Sequence, residues 1–149
     1  MLLAAVAAAF NASAVSYGEN EDMFWTINNA RQAMVRMTTQ LRTAGYADAN
    51  GVTYAVAHQT PPSNQCVFFT PEGVLMRYEY RSAESKLYLV NSGTSQQYLL
   101  CDGVTAATFT TTSTNGVDAT SVQIALTVKS GRTHRSLSGA AMVRRNQGT

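Results

Sequence analysis

The sequence predicts an α+β domain in which one long N-terminal helix packs on an antiparallel β-sheet. Three observations carry this. Met1 to Phe10 (MLLAAVAAAF) is an unbroken apolar run that leads into helix-compatible sequence with no proline before Pro61. Met23, Ile27, Ala30, Met34, Met37 and Leu41 then recur at steps of 4, 3, 4, 3 and 4, which places them on one side of a helix. After Gly45 the apolar period falls to about two, the spacing of half-buried strands.

The helix reads in two functional parts. Residues 1–18 form its apolar N-terminal half, and 19–149 a globular domain made of an amphipathic helix (19–44) and a sheet (52–145). Gly18 is the one weak helix former between Leu2 and Ala44, at about 1 kcal/mol relative to alanine, and marks the handover between the halves. Glu19, Glu21 and Asp22 lie early and Arg31, Arg36 and Arg42 late, as the helix dipole favours. The same arrangement would suit a second copy staggered along the first. Gly45 reads as the residue that closes the helix.

Strand-like segments follow in series: 52–58, 65–70, 74–81, 86–91, 98–103, 104–112 and 121–130, with a last strand or arm in THRSLSGAAMVRRN. Turn signals such as PEG, SAES and TNG separate several of them, so the expectation is an antiparallel meander whose face is covered by the helix's C-terminal half. Tyr78, Tyr80 and Tyr88, on two neighbouring predicted strands, are expected to pack across them.

At 149 residues the chain is one ordinary domain. Charged residues make up only 13%, and much of the polarity is Ser, Thr, Asn and Gln. A net charge of +2 is too small to argue for nucleic acid or an anionic membrane. The last acidic residue is Asp118, however, and Lys129, Arg132, Arg135, Arg144 and Arg145 follow it as a basic C-terminal region. A solvated edge or subunit contact is the expected role, with an anionic ligand such as DNA as the alternative.

The two cysteines, Cys66 and Cys101, sit in strand-like sequence without zinc-type spacing. Paired, they would close a loop of about 36 residues and stabilise the fold by roughly 3–4 kcal/mol. A disulfide is the expectation and two buried thiols the alternative. No GxSxG, HExxH, P-loop or GxGxxG motif occurs, and His58 and His134 stand outside any recognisable nucleophile or metal spacing. Neither catalysis nor a cofactor nor a small-molecule substrate is expected. Asp48-Ala-Asn50-Gly51 has the opening of a calcium loop without its later carboxylates, and reads as a turn after the helix.

The segment FWTINNARQAMVRMTTQLRTAGY, with the tail LTVKSGRTHRSLSGAAMVRRNQ, resembles the type IV pilin-like superfamily, above all minor pilins and the larger minor pseudopilins of type II secretion. The residues that carry the likeness are Ala30 to Met37, Ala44-Gly45-Tyr46 and Cys101-Asp102-Gly103-Val104. The family's basic leader, cleavage site and Phe/Met-Thr-Leu-x-Glu start are not found before Leu2. The resemblance therefore places Met1 inside the family's membrane helix, and predicts that in-frame codons upstream encode a leader. It implies a structural minor subunit that waits in the bacterial inner membrane, facing the periplasm, and then joins other pilins or pseudopilins in a filament. Leu2, Leu3, Val6 and Phe10 would pack in the filament core, and Met23, Ile27, Ala30, Met34, Met37 and Leu41 against the subunit's own sheet. A pilus-tip module binding DNA or a surface through the basic region is the alternative reading.

Overall fold

The structure, a computed structural model, describes residues 2–144. Helix α1 (Leu2–Thr43) runs for 42 residues, about 63 Å at 1.5 Å per residue. It passes through Gly18 unbroken, and a side chain there would meet nothing within 4 Å. The helix ends because Gly45 takes φ 118°, which side-chain-bearing residues avoid, and gives its N–H to Phe69 O at 2.7 Å. That bond ties the helix terminus to a strand instead of to the helix's own last turn.

Among the described residues nine strands follow: β1 (Tyr46–Ala47), β2 (Thr53–Tyr54), β3 (Gln65–Phe69), β4 (Leu75–Arg81), β5 (Lys86–Asn91), β6 (Gln97–Asp102), β7 (Val104–Ser113), β8 (Ala119–Ser130) and β9 (Thr133–Met142). The ladders between these strands are antiparallel and join sequence neighbours, while single bridges tie Val56 to Phe68, Ala57 to Asp118 and Ser63 to Phe109. The meander is not one sheet, however. It divides into a small β1–β2 hairpin, a four-stranded sheet β3-β4-β5-β6 and a three-stranded sheet β7-β8-β9.

The division falls at Gly103, where φ is +66°. A side chain there would stand 3.1 Å from Lys129 O, so only glycine lets the backbone pass this close while it leaves one sheet for the other. Two bonds hold the crossing, Lys129 N–H to Gly103 O and Val104 N–H to Ser85 O, each 2.9 Å.

The two sheets and the helix enclose one core. Tyr78 of β4 is fully buried, its ring 4.9 Å from Phe68 of β3 and 6.0 Å from Phe109 of β7. Its hydroxyl donates to Gln40 Oε1 of α1 at 2.6 Å, so one side chain joins helix and both sheets. The helix packs chiefly on β8 and β9 and more lightly on β6. Val122, Ile124, Leu126 and Val128 of β8 form the floor of that contact, as their alternation requires.

Two expectations are corrected here. Cys66 and Cys101 are free and buried, not paired. Cys66 lies on β3 and Cys101 on β6, the outer strands of the four-stranded sheet, with β4 and β5 between them. Three strand spacings of about 4.8 Å separate the two chains by roughly 14 Å, twice the Cα separation a disulfide spans. The three tyrosines also do not form one group. Tyr88 lies opposite Glu79, so it shares the outer face with Arg77 and Arg81, away from Tyr78 and Tyr80.

Candidate assembly surface

The helix carries two separate faces. On the sheet side Ala30, Met34, Met37 and Leu41 are buried, joined by Ala33, which lies on the same side by its spacing. Met23 and Ile27 are half-buried at the edge of the body. Burial therefore sets in from Met23 to Ala30, later than Gly18. Gly139 of β9 lets the helix come close, because Met34 fills the space its side chain would need.

Ahead of Met23 the helix extends about 30 Å from the body with its side chains largely in solvent. Leu2, Leu3, Val6 and Phe10 are all exposed, Phe10 at 77%. These residues do not stand alone. Tyr17 (75%), Phe24 (63%) and Val35 (63%) are exposed as well, and Leu3, Phe10, Tyr17 and Phe24 recur at seven-residue steps. At 3.6 residues per turn this stripe lies roughly 140° around the helix from the residues seated on the sheet. It is an apolar seam facing away from the body; its next seven-residue step falls on Arg31, and Val35 is exposed one turn further along the same side. Trp25 sits beside it, its ring edge-on to Phe24 at 5.8 Å. The apolar half expected from the sequence ends at residue 18, and the seven-residue spacing that carries it on to Phe24 is legible there too.

Among the described residues no helix is long and apolar enough to cross a membrane. The seam is amphipathic instead, interrupted by Ser13, Asn20 and Asn28. Glu21 lies to one side of it and Arg31 falls on its line, seven residues after Phe24, and neither enters an ion pair among the described residues.

The basic C-terminal region does not assemble as one patch. Lys129, Arg132 and Arg135 lie at the β8–β9 turn, where Lys129 pairs with His134 and Val128 with Arg135. Arg144 follows Val143, whose N–H bonds Thr120 O near the other end of β8. About nine strand residues at 3.3 Å each separate the two groups, roughly 30 Å. Arg145 lies outside the described residues.

The remaining candidates are structural in their contacts. Thr111 Oγ1 donates to Gln59 O and accepts from Gln59 N–H, so the 2.9 Å contact from His58 Nδ1 is an N–H donated to it. His58 Nε2 then accepts from Thr60, 3.1 Å away. The imidazole pins the 58–60 segment to β7. His134 is exposed on the hairpin. Asp48 Oδ1 accepts from the N–H groups of Asn50 and Val52, each at 2.9 Å, which closes the β1–β2 loop as a turn.

No protein-family model matches the chain, and no curated protein matches it.

Proposed function

We propose that this chain is a structural subunit of a helix-cored filament of the type IV pilus or type II secretion pseudopilus kind, and that it acts by assembly. One observation carries the reading. An unbroken helix projects about 30 Å from a compact sheet body and holds Leu3, Phe10, Tyr17 and Phe24 in solvent along one line. Such a stripe costs free energy when left in water, at about 25 cal/mol per Å² of apolar surface, and is relieved when neighbouring helices cover it. The body meanwhile presents its sheets outward. The chain's partners in this reading are other pilins or pseudopilins, with the inner membrane as its site before assembly.

The test uses the full chain in its source cell. Filaments are sheared from the surface or recovered from the periplasm, sedimented and probed for the protein. The wild-type chain should sediment with them, and Phe10→Asp should reduce its share at least tenfold while the thermal unfolding of the body stays unchanged. A wild-type chain that never sediments with filaments, or an Asp variant that does so normally, would overturn the proposal.

A further inference from the structure

We infer that a hollow at the end of the body remote from the rod binds a small organic cation, an ammonium or guanidinium group carried on an apolar stem. This goes beyond the filament reading and does not depend on it. The hollow has a volume of about 200 Å³. Its floor follows from strand register. Val56 bridges Phe68 and Ala57 bridges Asp118, both antiparallel, so Ala57 stands between Val67 on one side and Asp118 on the other. Val67 and Phe69 alternate with the buried Cys66 and Phe68, and therefore face outward. Ala57 is the small residue of its row, and its short side chain leaves a trough between larger neighbours.

The walls are fixed by their own contacts. Tyr54 and Phe69 line the hollow with ring centroids 5.7 Å apart, and Tyr46 packs against both, at 5.8 Å and 5.6 Å. Phe69 O in turn accepts the Gly45 N–H at the C-terminal end of α1. Across the trough stand Val117 and Asp118. Asn115 Oδ1 accepts from their N–H groups at 2.9 Å and 2.8 Å, and Val117 O accepts from His58 N–H at 2.9 Å. The shape is thus formed in advance of any ligand, which is the ordinary condition of a small-molecule site. An apolar cavity of about 150 Å³ already holds one six-membered ring, so a space of this size takes one ring or one alkylammonium group.

The surrounding charge selects the sign of the ligand. The hollow is built from two stretches without Lys or Arg, between Arg42 and Arg77 and between Lys86 and Lys129, and these carry Asp48, Glu72, Asp102 and Asp118. Arg77 lies opposite Val67, but Glu79 meets its charge at 2.8 Å. The His58 ring is turned to Thr111 and Thr60. Asp118 accepts from Asn115 Nδ2 at 3.1 Å and enters no ion pair among the described residues. A carboxylate across an apolar trough from aromatic rings attracts a positive head and rejects an anion. A neutral guest would cover Asp118 with apolar surface and leave its charge uncompensated.

Amide chemical-shift titration of the full chain tests this, with thermal unfolding as the check on folding. Choline and N-acetyl-arginine amide are the cationic probes; neohexanol, the uncharged carbon isostere of choline, and N-acetyl-norleucine amide are their neutral partners. At least one cation should shift the amides of Ala57, Val67 and Val117 and saturate at roughly 1–10 mM. Its neutral partner should bind about tenfold more weakly. Asp118→Asn should weaken the cation about fivefold, and Ala57→Leu, which fills the trough, should abolish the shifts, both at an unchanged melting temperature. Tighter binding of choline points to a free quaternary ammonium, and tighter binding of the arginine amide to a basic side chain of a partner protein; both support the site. No saturable shift with either cation, equal binding of the neutral partners, or full binding by either variant overturns it. The hollow lies about 30 Å along α1 from the point where the rod leaves the body, so neither variant should alter sedimentation with filaments, and the two readings fail separately.

Discussion

Met34 of α1 stands where a side chain on Gly139 of β9 would have to go: its Sδ lies 2.8 Å from the position of that Cβ. Helix and sheet approach each other at this point only because residue 139 has no side chain. The whole projecting rod is aimed by this contact and by the Tyr78–Gln40 bond deeper in the core.

Gly139→Val should therefore lower stability by about 1–3 kcal/mol through overpacking, read as a fall in the urea midpoint. Combining it with Met34→Ala should cost less than the sum of the single changes, by about 1 kcal/mol, since the smaller side chain frees the space. Strict additivity would mean that the two residues do not share one seat.

Among the described residues Thr111 is the one buried polar residue, and its hydroxyl serves three partners in the 58–59 segment. Thr111→Val keeps the shape and leaves the Gln59 N–H without an acceptor. The expected loss is about 1–3 kcal/mol, with faster amide exchange at Gln59 than at neighbouring strand positions. Thr111→Ser, which keeps the hydroxyl, should recover most of it.

The thiols make an alkaline prediction. Burial pushes Cys66 up to about 12 and Cys101 up to about 11, the latter also raised by the Asp102 carboxylate, against an ordinary 9.0. Folding favours the neutral thiol, so stability is full below about pH 9 and declines as pH climbs through 11 to 12. At neutral pH neither thiol should react with a disulfide reagent until the protein unfolds, and adding reductant should leave the melting temperature unchanged. A melting temperature that drops with reductant would reinstate a disulfide.

An acid-side prediction rests on Glu79. Its carboxylate accepts from Arg81 Nε at 2.7 Å and from Arg77 Nε at 2.8 Å, and these hydrogen bonds, Arg81's first, hold it below the usual carboxylate range. The contribution is present above the unfolded carboxylate pKa and is lost as pH falls below it. Glu79→Gln should flatten the acid limb of a stability–pH curve near 4.5 and below while barely changing it at pH 7. An unchanged acid limb would mean that the pair is fully screened by solvent.

Local pattern was enough for the elements themselves. The helix from its apolar start through Leu41, the cap at Gly45 and the strands from 65 to 130 follow from periods of 3.6 and 2 and from the turn residues between them. Those signals depend on sequence neighbours, and an antiparallel meander pairs neighbours, so order and pairing were legible too. The exposed heptad from Leu3 to Phe24 was equally present in the spacing.

Relations between residues far apart in the chain depended on the tertiary structure. The separation of Cys66 from Cys101 depends on two intervening strands, and the placing of Tyr88 on the other face of the sheet from Tyr78 depends on a register of one residue. The division into two sheets depends on a single left-handed glycine. Charge order along the chain made one basic region of Lys129 to Arg144, and the length of β8 set its two groups roughly 30 Å apart. The sequence by itself determined which elements form and in what order; packing decided which side of each element faces the core. That choice leaves the Leu3–Phe24 seam turned away from the sheet and open.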